Sequence, residues 1–183
     1  MMKIVAVNVG KRKSLLYQGR LINTGIFKYP VSKPVHVGAT GLENDAIVDM
    51  KHHGGYQQAV YGYALEHYDF WKKKYPDLNW STGMFGENLT IEGLEEKEIH
   101  VGDQFALEEV ILEVTKPREP CMKLGLRFET QTILKEFWND TKCGVYFKVI
   151  KEGKVEAGEI MTKIIARDEN PTISEVYTLK RNK

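Results

Sequence analysis

Apolar and polar residues alternate in short runs along this chain, and glycine or proline interrupts almost every run. KIVAVNVG at 3–10 is rich in β-branched residues and ends on glycine, which predicts a strand. GRLINTGIFKYPV at 19–31 alternates in part and stops at Pro30, and PVHVGATGL adds a short extended piece closed by glycines. AIVDM (46–50) and QAVYGY (58–63) read as two more strands with KHHGG between them. GENLTIEGL and KEIHVGDQFAL follow, and in the second Gly102 and Asp103 separate two apolar pieces, the mark of a tight turn. VILEVTK (110–116) alternates cleanly up to Pro117, and GVYFKVIKEGKVEAGEIMTKIIA carries two or three strands around a turn at Glu152 and Gly153.

Three segments switch to the helical period. Residues 64–75 put Leu65, Tyr68, Trp71 or Lys72, and Tyr75 near one face, with lysines toward the C-terminal end and Pro76 as the stop. Residues 131–140 place Ile133, Leu134, Phe137 and Trp138 on one stripe. PTISEVYTLK begins with Thr172 and Glu175 at capping-box spacing and predicts a short helix. Many short strands with few helices predict a mainly β protein, a β-barrel or a folded-over sheet. DENP at 168–171 suggests a soft boundary, with a barrel domain over 1–168 and a short helical tail over 169–183.

Composition narrows the class. With 183 residues, 42% hydrophobic and 28% charged, the chain is long enough for one self-sufficient core. Lys and Arg total 26 against 25 for Asp and Glu, which argues against a general nucleic-acid binder. No apolar run is long enough to cross a bilayer, and the N-terminal run reads as a strand, not a signal peptide. Two cysteines do not make a secreted disulfide framework, so a reducing cytoplasm is the expected location.

Cys121 is the first candidate for chemistry. Pro117 and Pro120 precede it, Arg118 lies close by, and MKLGLRF can form a helical turn after it. A helix start and a nearby cation favour a thiolate, which is a nucleophile and a soft metal ligand. A buried core thiol is an equally fair reading of the residues alone. Lys51, His52, His53, Gly54 and Gly55 combine cations with a glycine turn, the ingredients of an anion site or of a plain solvated turn. Asn88, after Gly86 and Glu87, fits a ligand's polar edge or closes a turn. Glu43, Asn44, Asp45 and Asp49 read best as a solvated loop, and Cys143 as structural. HExxH, CxxC, GxSxG, GxGxxG and the P-loop are all absent.

Taken together, TGLENDAIVDMKHHGGYQQAVYGYALEHYDFW, FGENLTIEGLEEKEIHVGD, KPREPCMKL, GVYFKVI and VEAGE resemble, in order, a MOSC domain, the C-terminal domain of molybdenum cofactor sulfurases, and most closely its stand-alone bacterial YiiM type. The resemblance implies a β-barrel-rich fold and a molybdenum–pyranopterin cofactor. Cys121 matches the motif cysteine and is implied as metal ligand and catalytic residue. His53, Gly54, Gly55, Asn88 and Arg118 match positions that hold the pterin and its phosphate. Charge and proximity add Lys51, Lys123 and, less directly, Arg127. The implied activity is reduction of N-hydroxylated compounds such as hydroxylaminopurines. A cofactor or sulfur-carrier module without turnover is the alternative. Two cysteines cannot hold a four-cysteine iron–sulfur cluster, and no flavin or haem site is apparent, so electrons would come from a separate reductase. No stable nucleic-acid or membrane partner is expected, and the sequence is compatible with a homo-oligomer. Gln57 and Gln58 replace a usual Asp-Lys pair, Lys142 and Lys148 stand where arginines are typical, and the chain stops soon after Thr172, where many YiiM-type proteins continue into a small helical unit.

Overall fold

The computed structural model describes residues 1–46 and 54–182. Most of the expected strand at 46–50, together with Lys51, His52 and His53, lies outside them. In chain order the strands are β1 (Met2–Gly10), β2 (Lys13–Tyr17), β3 (Arg20–Thr24), β4 (Lys28–Val31), β5 (Val35–Gly38), β6 (Gly41–Leu42), β7 (Val60–Ala64), β8 (Leu89–Glu92), β9 (Gln104–Ala106), β10 (Ile111–Pro117), β11 (Val145–Lys151), β12 (Gly153–Val155) and β13 (Ile160–Ile165). The helices are α1 (His67–Lys74), α2 (Met122–Arg127), α3 (Thr132–Asn139) and α4 (Ile173–Arg181).

Seven strands run β13-β9-β10-β11-β7-β8-β1, and β1 pairs again with β13, so the sheet closes into a barrel. β4 adds to β1 beside the ring. The mainly β barrel expected from the alternation is therefore the fold. The β7–β8 joint is parallel, and such a joint needs a long crossover. Residues 65–88, with α1 inside them, supply it. The expected helix at 64–75 starts late because Ala64 is claimed by β7.

The aromatic residues of the crossover fill the space between the barrel and its helices. The Tyr63 ring stacks on Phe85 at 4.2 Å, Trp71 stacks on Phe137 at 6.0 Å, and Trp71 Nε1 donates to Tyr63 Oη at 2.8 Å. Helix α4 has the full capping box: Glu175 N donates to Thr172 Oγ1, and Thr172 N donates to Glu175 Oε2. Its Ile173 and Tyr177 are fully buried, and Tyr177 Oη donates to Phe137 O at 3.0 Å. The C-terminal helix is thus packed into the common core.

The alternating reading missed β2. It pairs with β3 as a two-stranded arm whose turn, Gln18 and Gly19, has φ of 49° and 74°. Positive φ at both positions is the hairpin geometry that matches strand twist, and Gly19 adopts it without steric cost.

The expected turn at Gly102 and Asp103 is held by a buried carboxylate. Asp103 accepts from His100 N at 3.0 Å and Arg167 N at 2.7 Å, and pairs with Lys163 Nζ at 2.7 Å. Burial by itself would raise its pKa, but Lys163 and the two N–H donors outweigh burial and hold the carboxyl below its ordinary 3.8. A carboxyl with a depressed folded pKa contributes stability above pH 3.8 and loses it as pH falls through the lower folded value. Asp103→Asn is expected to cost about 1–3 kcal/mol at pH 7 in urea denaturation. The gap from wild type should narrow below pH 3.8. A gap independent of pH would mean that the charge is irrelevant.

Candidate functional site

At one end of the barrel, where β10 gives way to α2, lies an open cavity. Pieces distant in sequence build its wall: Thr24 to Ile26 after β3, Lys28 on β4, Asp45, Gln58, Tyr61 on β7, Gly86 with Asn88, Arg118, Cys121 and Lys123, and Tyr146 on β11.

Cys121 forms the N-cap of α2, with the extended backbone usual at that position (φ −132°, ψ 166°). The helical turn expected after the cysteine is present. Cys121 is partly exposed, unlike Cys143, which is wholly buried and whose thiol burial pushes up. The structural reading of Cys143 fits that placement.

Arg118 is buried beside the cysteine. Its guanidinium lies 4.8 Å over the Tyr61 ring, and Nη1 donates to Phe85 O. Burial works against its charge, but its pKa is raised all the same, and the guanidinium stays cationic. Tyr61 and Tyr146 are cross-strand partners with ring centroids 5.2 Å apart, and burial raises both phenols, leaving them neutral.

The Phe85 carbonyl that anchors Arg118 belongs to the loop 83–87. Glu87, fully buried, accepts from Gly83 N at 2.8 Å, Phe85 N at 3.0 Å, Thr90 Oγ1 at 2.9 Å and the Tyr68 hydroxyl. One carboxylate thus fixes the loop that fixes the arginine. Gly86 has φ +77°, and a Cβ there would meet Ile26 Cγ1 at 2.9 Å, so the cavity wall needs glycine.

Asn88 lines the cavity, but its polar atoms are engaged inside the wall. Its Oδ1 accepts from Tyr61 N at 3.1 Å, and its Nδ2 donates to Asp45 Oδ2 at 2.9 Å. Asp45 also accepts from Gly10 N at 2.8 Å and pairs with the Lys28 ammonium. Its side chain is only 2% exposed, so the reading of this acid as a solvated loop residue is wrong. Burial lowers the Lys28 pKa and the Asp45 charge opposes that shift.

The structure therefore gathers Cys121, Arg118, Asn88 and Lys123 around one cavity. Gly54 and Gly55 are not among its described lining residues. Gly55, at φ +85°, caps the 3-10 turn Tyr56–Gln58 that brings Gln58 to the wall. Lys51 and His53 are outside the described residues. Arg127 packs instead against Phe27 and Tyr29 and donates to Tyr29 Oη at 3.1 Å. Lys142 pairs with Asp140 at 2.9 Å and Lys148 with Glu113 at 2.6 Å, so neither of these replaced arginines touches the described wall. Sequence reasoning missed Lys28, Tyr61 and Tyr146.

The donor set was tested against the cofactor implied by the resemblance. Among the described residues no group of three His, Cys, Asp or Glu side chains could hold a metal ion. A metal carried by its cofactor's own sulfurs needs only one protein thiolate, and Cys121 is placed to give it. Arg118 Nε is buried with no hydrogen-bond partner among the described residues, and no described carboxylate pairs with Arg118. A buried cation without a counter-charge is costly, and an anionic ligand would relieve it. The residues fit an anionic, thiolate-ligated group.

Known proteins resemble this chain in sequence and fold. The model of the MOSC domain matches residues 49–162. The uncharacterized protein YflK of Bacillus subtilis is 37% identical over 155 residues, covering 85% of this chain and 70% of that one. A protein named reductase from Gibberella moniliformis is 32% identical over 163 residues, 87% of this chain but 28% of its own length. The crystal structure of YiiM from Geobacillus stearothermophilus superposes with a TM-score of 0.82 at 31% identity, covering 99% of this chain and 84% of that one.

Proposed function

This chain belongs to the MOSC domain family, and from that premise we propose that it is a molybdenum-cofactor-dependent reductase of N-hydroxylated compounds, hydroxylaminopurine bases among them. The observation that carries the reading is the convergence on one cavity of the Cys121 thiol and the buried Arg118, which pairs with no carboxylate among the described residues. The name of the fungal relative supports the oxidoreductase class.

When bound, the cofactor supplies the two-electron chemistry that removes oxygen from an N–OH group. The chain's residues bind and orient. Cys121 Sγ would ligate the metal from the N-cap of α2. Arg118, anchored on Phe85 O, would hold negative charge of the cofactor, with Lys123 on the same wall. Lys28 is already paired with Asp45, so Arg118 is the better-placed buried cation of the cavity for an anionic group. Tyr61 and Tyr146, their rings inclined at 41° to each other, add aromatic surface to the wall. The overall reaction is R–NHOH + 2 e⁻ + 2 H⁺ → R–NH₂ + H₂O; the N–O bond breaks and nitrogen keeps its carbon.

The test is anaerobic turnover. Cofactor-loaded protein with reduced methyl viologen should convert 6-hydroxylaminopurine to adenine, followed by chromatography. Bound molybdenum without turnover would favour the carrier module, and protein that binds neither metal nor pterin would overturn both readings.

A further inference from the structure

Charge is distributed unevenly along the chain. Residues 1–42 contain seven Lys and Arg and not one Asp or Glu, so the other 141 residues hold 19 cations against 25 anions. A near-neutral protein thus has a strongly basic N-terminal part. Lys11, Arg12, Lys13 and Arg20 are exposed on or beside the β2–β3 arm, and Lys33 is exposed beyond the far end of β4. Among the described residues none of these five pairs with a carboxylate. Lys13 Nζ sits 4.2 Å over the Phe27 ring, which holds its charge at the base of the arm.

The arm is also apolar where it is most exposed. Leu16 and Leu21 face each other across the strands and are 78% and 67% exposed. Cations around a pair of exposed leucines make a patch that binds a protein better than a nucleic acid. The leucines can be desolvated at the centre, while the charges steer and fill the rim. At its base the arm runs into the cavity. Lys13 pairs with Thr24, and Thr24, Gly25 and Ile26 form part of the cavity wall.

We propose that the β2–β3 arm and its basic base are the docking surface for a small acidic electron-carrier protein of the flavin or iron–sulfur class. This rests on the reductase reading, which needs two electrons per turnover from outside the chain. Each docking delivers one electron, so two oxidised carriers leave for every N–O bond broken. Charge complementarity selects the partner: the four cations of the arm, which pair with no carboxylate among the described residues, attract an acidic surface. Continuity of the arm with the wall brings the carrier to the cavity mouth.

The test compares the wild type with the triple variant Lys11→Glu, Arg12→Glu, Arg20→Glu, and with Leu16→Ser. Reduced flavodoxin is one donor and reduced methyl viologen the other. Flavodoxin-driven kcat/KM should fall about 10-fold or more in the triple variant, and in the wild type it should fall as salt rises. Viologen-driven turnover should stay within about two-fold, since none of these side chains lines the cavity. Equal flavodoxin-driven rates in wild type and variant overturn the docking surface and leave the reductase reading intact. If no donor drives turnover, the reductase reading falls, and flavodoxin binding by calorimetry decides the surface alone. Tighter binding of a single-stranded oligonucleotide than of flavodoxin, or a dimer that Leu16→Ser dissociates, would assign the arm to another occupant and overturn the proposal.

Discussion

Cys121→Ser, purified from a host that makes the molybdenum cofactor, is expected to be folded and nearly free of molybdenum where the wild type carries it stoichiometrically. Folding should survive for a local reason. Cys121 is the N-cap of α2, and its side chain makes no capping hydrogen bond. Serine is among the favoured N-cap residues, so the substitution leaves stability equal or slightly higher. The hydroxyl is a poor replacement for a soft thiolate ligand. Turnover should fall at least about 100-fold, the upper end of what losing even an outer-shell partner of a metal costs. Metal analysis, pterin fluorescence and a thermal melt check the three parts separately. Equal molybdenum in both proteins would remove Cys121 from the metal.

Asp45→Ala should be the most damaging single change to stability. The side chain holds the buried Lys28 ammonium, Gly10 N and Asn88 Nδ2 together. Removing it leaves an uncompensated buried charge, at a cost of about 3–5 kcal/mol. The double variant Lys28→Met, Asp45→Ala removes the charge as well and should recover most of that loss. Because burial keeps the Lys28 pKa below 10.5, the unfolded chain holds that proton more tightly than the folded one. The wild type therefore gains stability from this group as pH rises from the lower folded value toward 10.5, and the double variant lacks that gain. Denaturation of the three proteins across pH 7 to 10.5 measures both effects. A double variant as unstable as Asp45→Ala would show that the pair is not the source of the loss.

Lys28 also shows where sequence reading stops. In IFKYPV the apolar parity is Phe27, Tyr29 and Val31, which would send Lys28 to solvent. The structure does the reverse: Lys28 is 7% exposed and Tyr29 is 50% exposed. The inversion occurs because Asp45, 17 residues away, supplies a buried counter-charge that no local pattern announces. Local rules failing at a cavity wall is the expected place for them to fail. Tyr61 and Tyr146 escaped for a different reason, since within VYGY and VYF they look like any strand aromatic. Barrel strands, the helices at 131–140 and 172–181, and the N-cap position of Cys121 were legible because each depends on neighbours within a few residues. Arm β2 was not, since Leu15 and Leu16 break the alternation and the arm has no core to face.

The seam of the barrel has a consequence for synthesis of the protein. Met2 pairs with Met161 and Lys3 with Ile160, so the first strand meets its closing partner only after nearly the whole ring has been translated. At ordinary elongation rates that is a wait on the order of ten seconds. During it the start of β1 at Met2 and Lys3 is an unprotected strand edge, since β4 covers only Val7–Gly10 of that side. Fewer chains in synthesis at once, from a weaker promoter, should therefore raise the soluble yield.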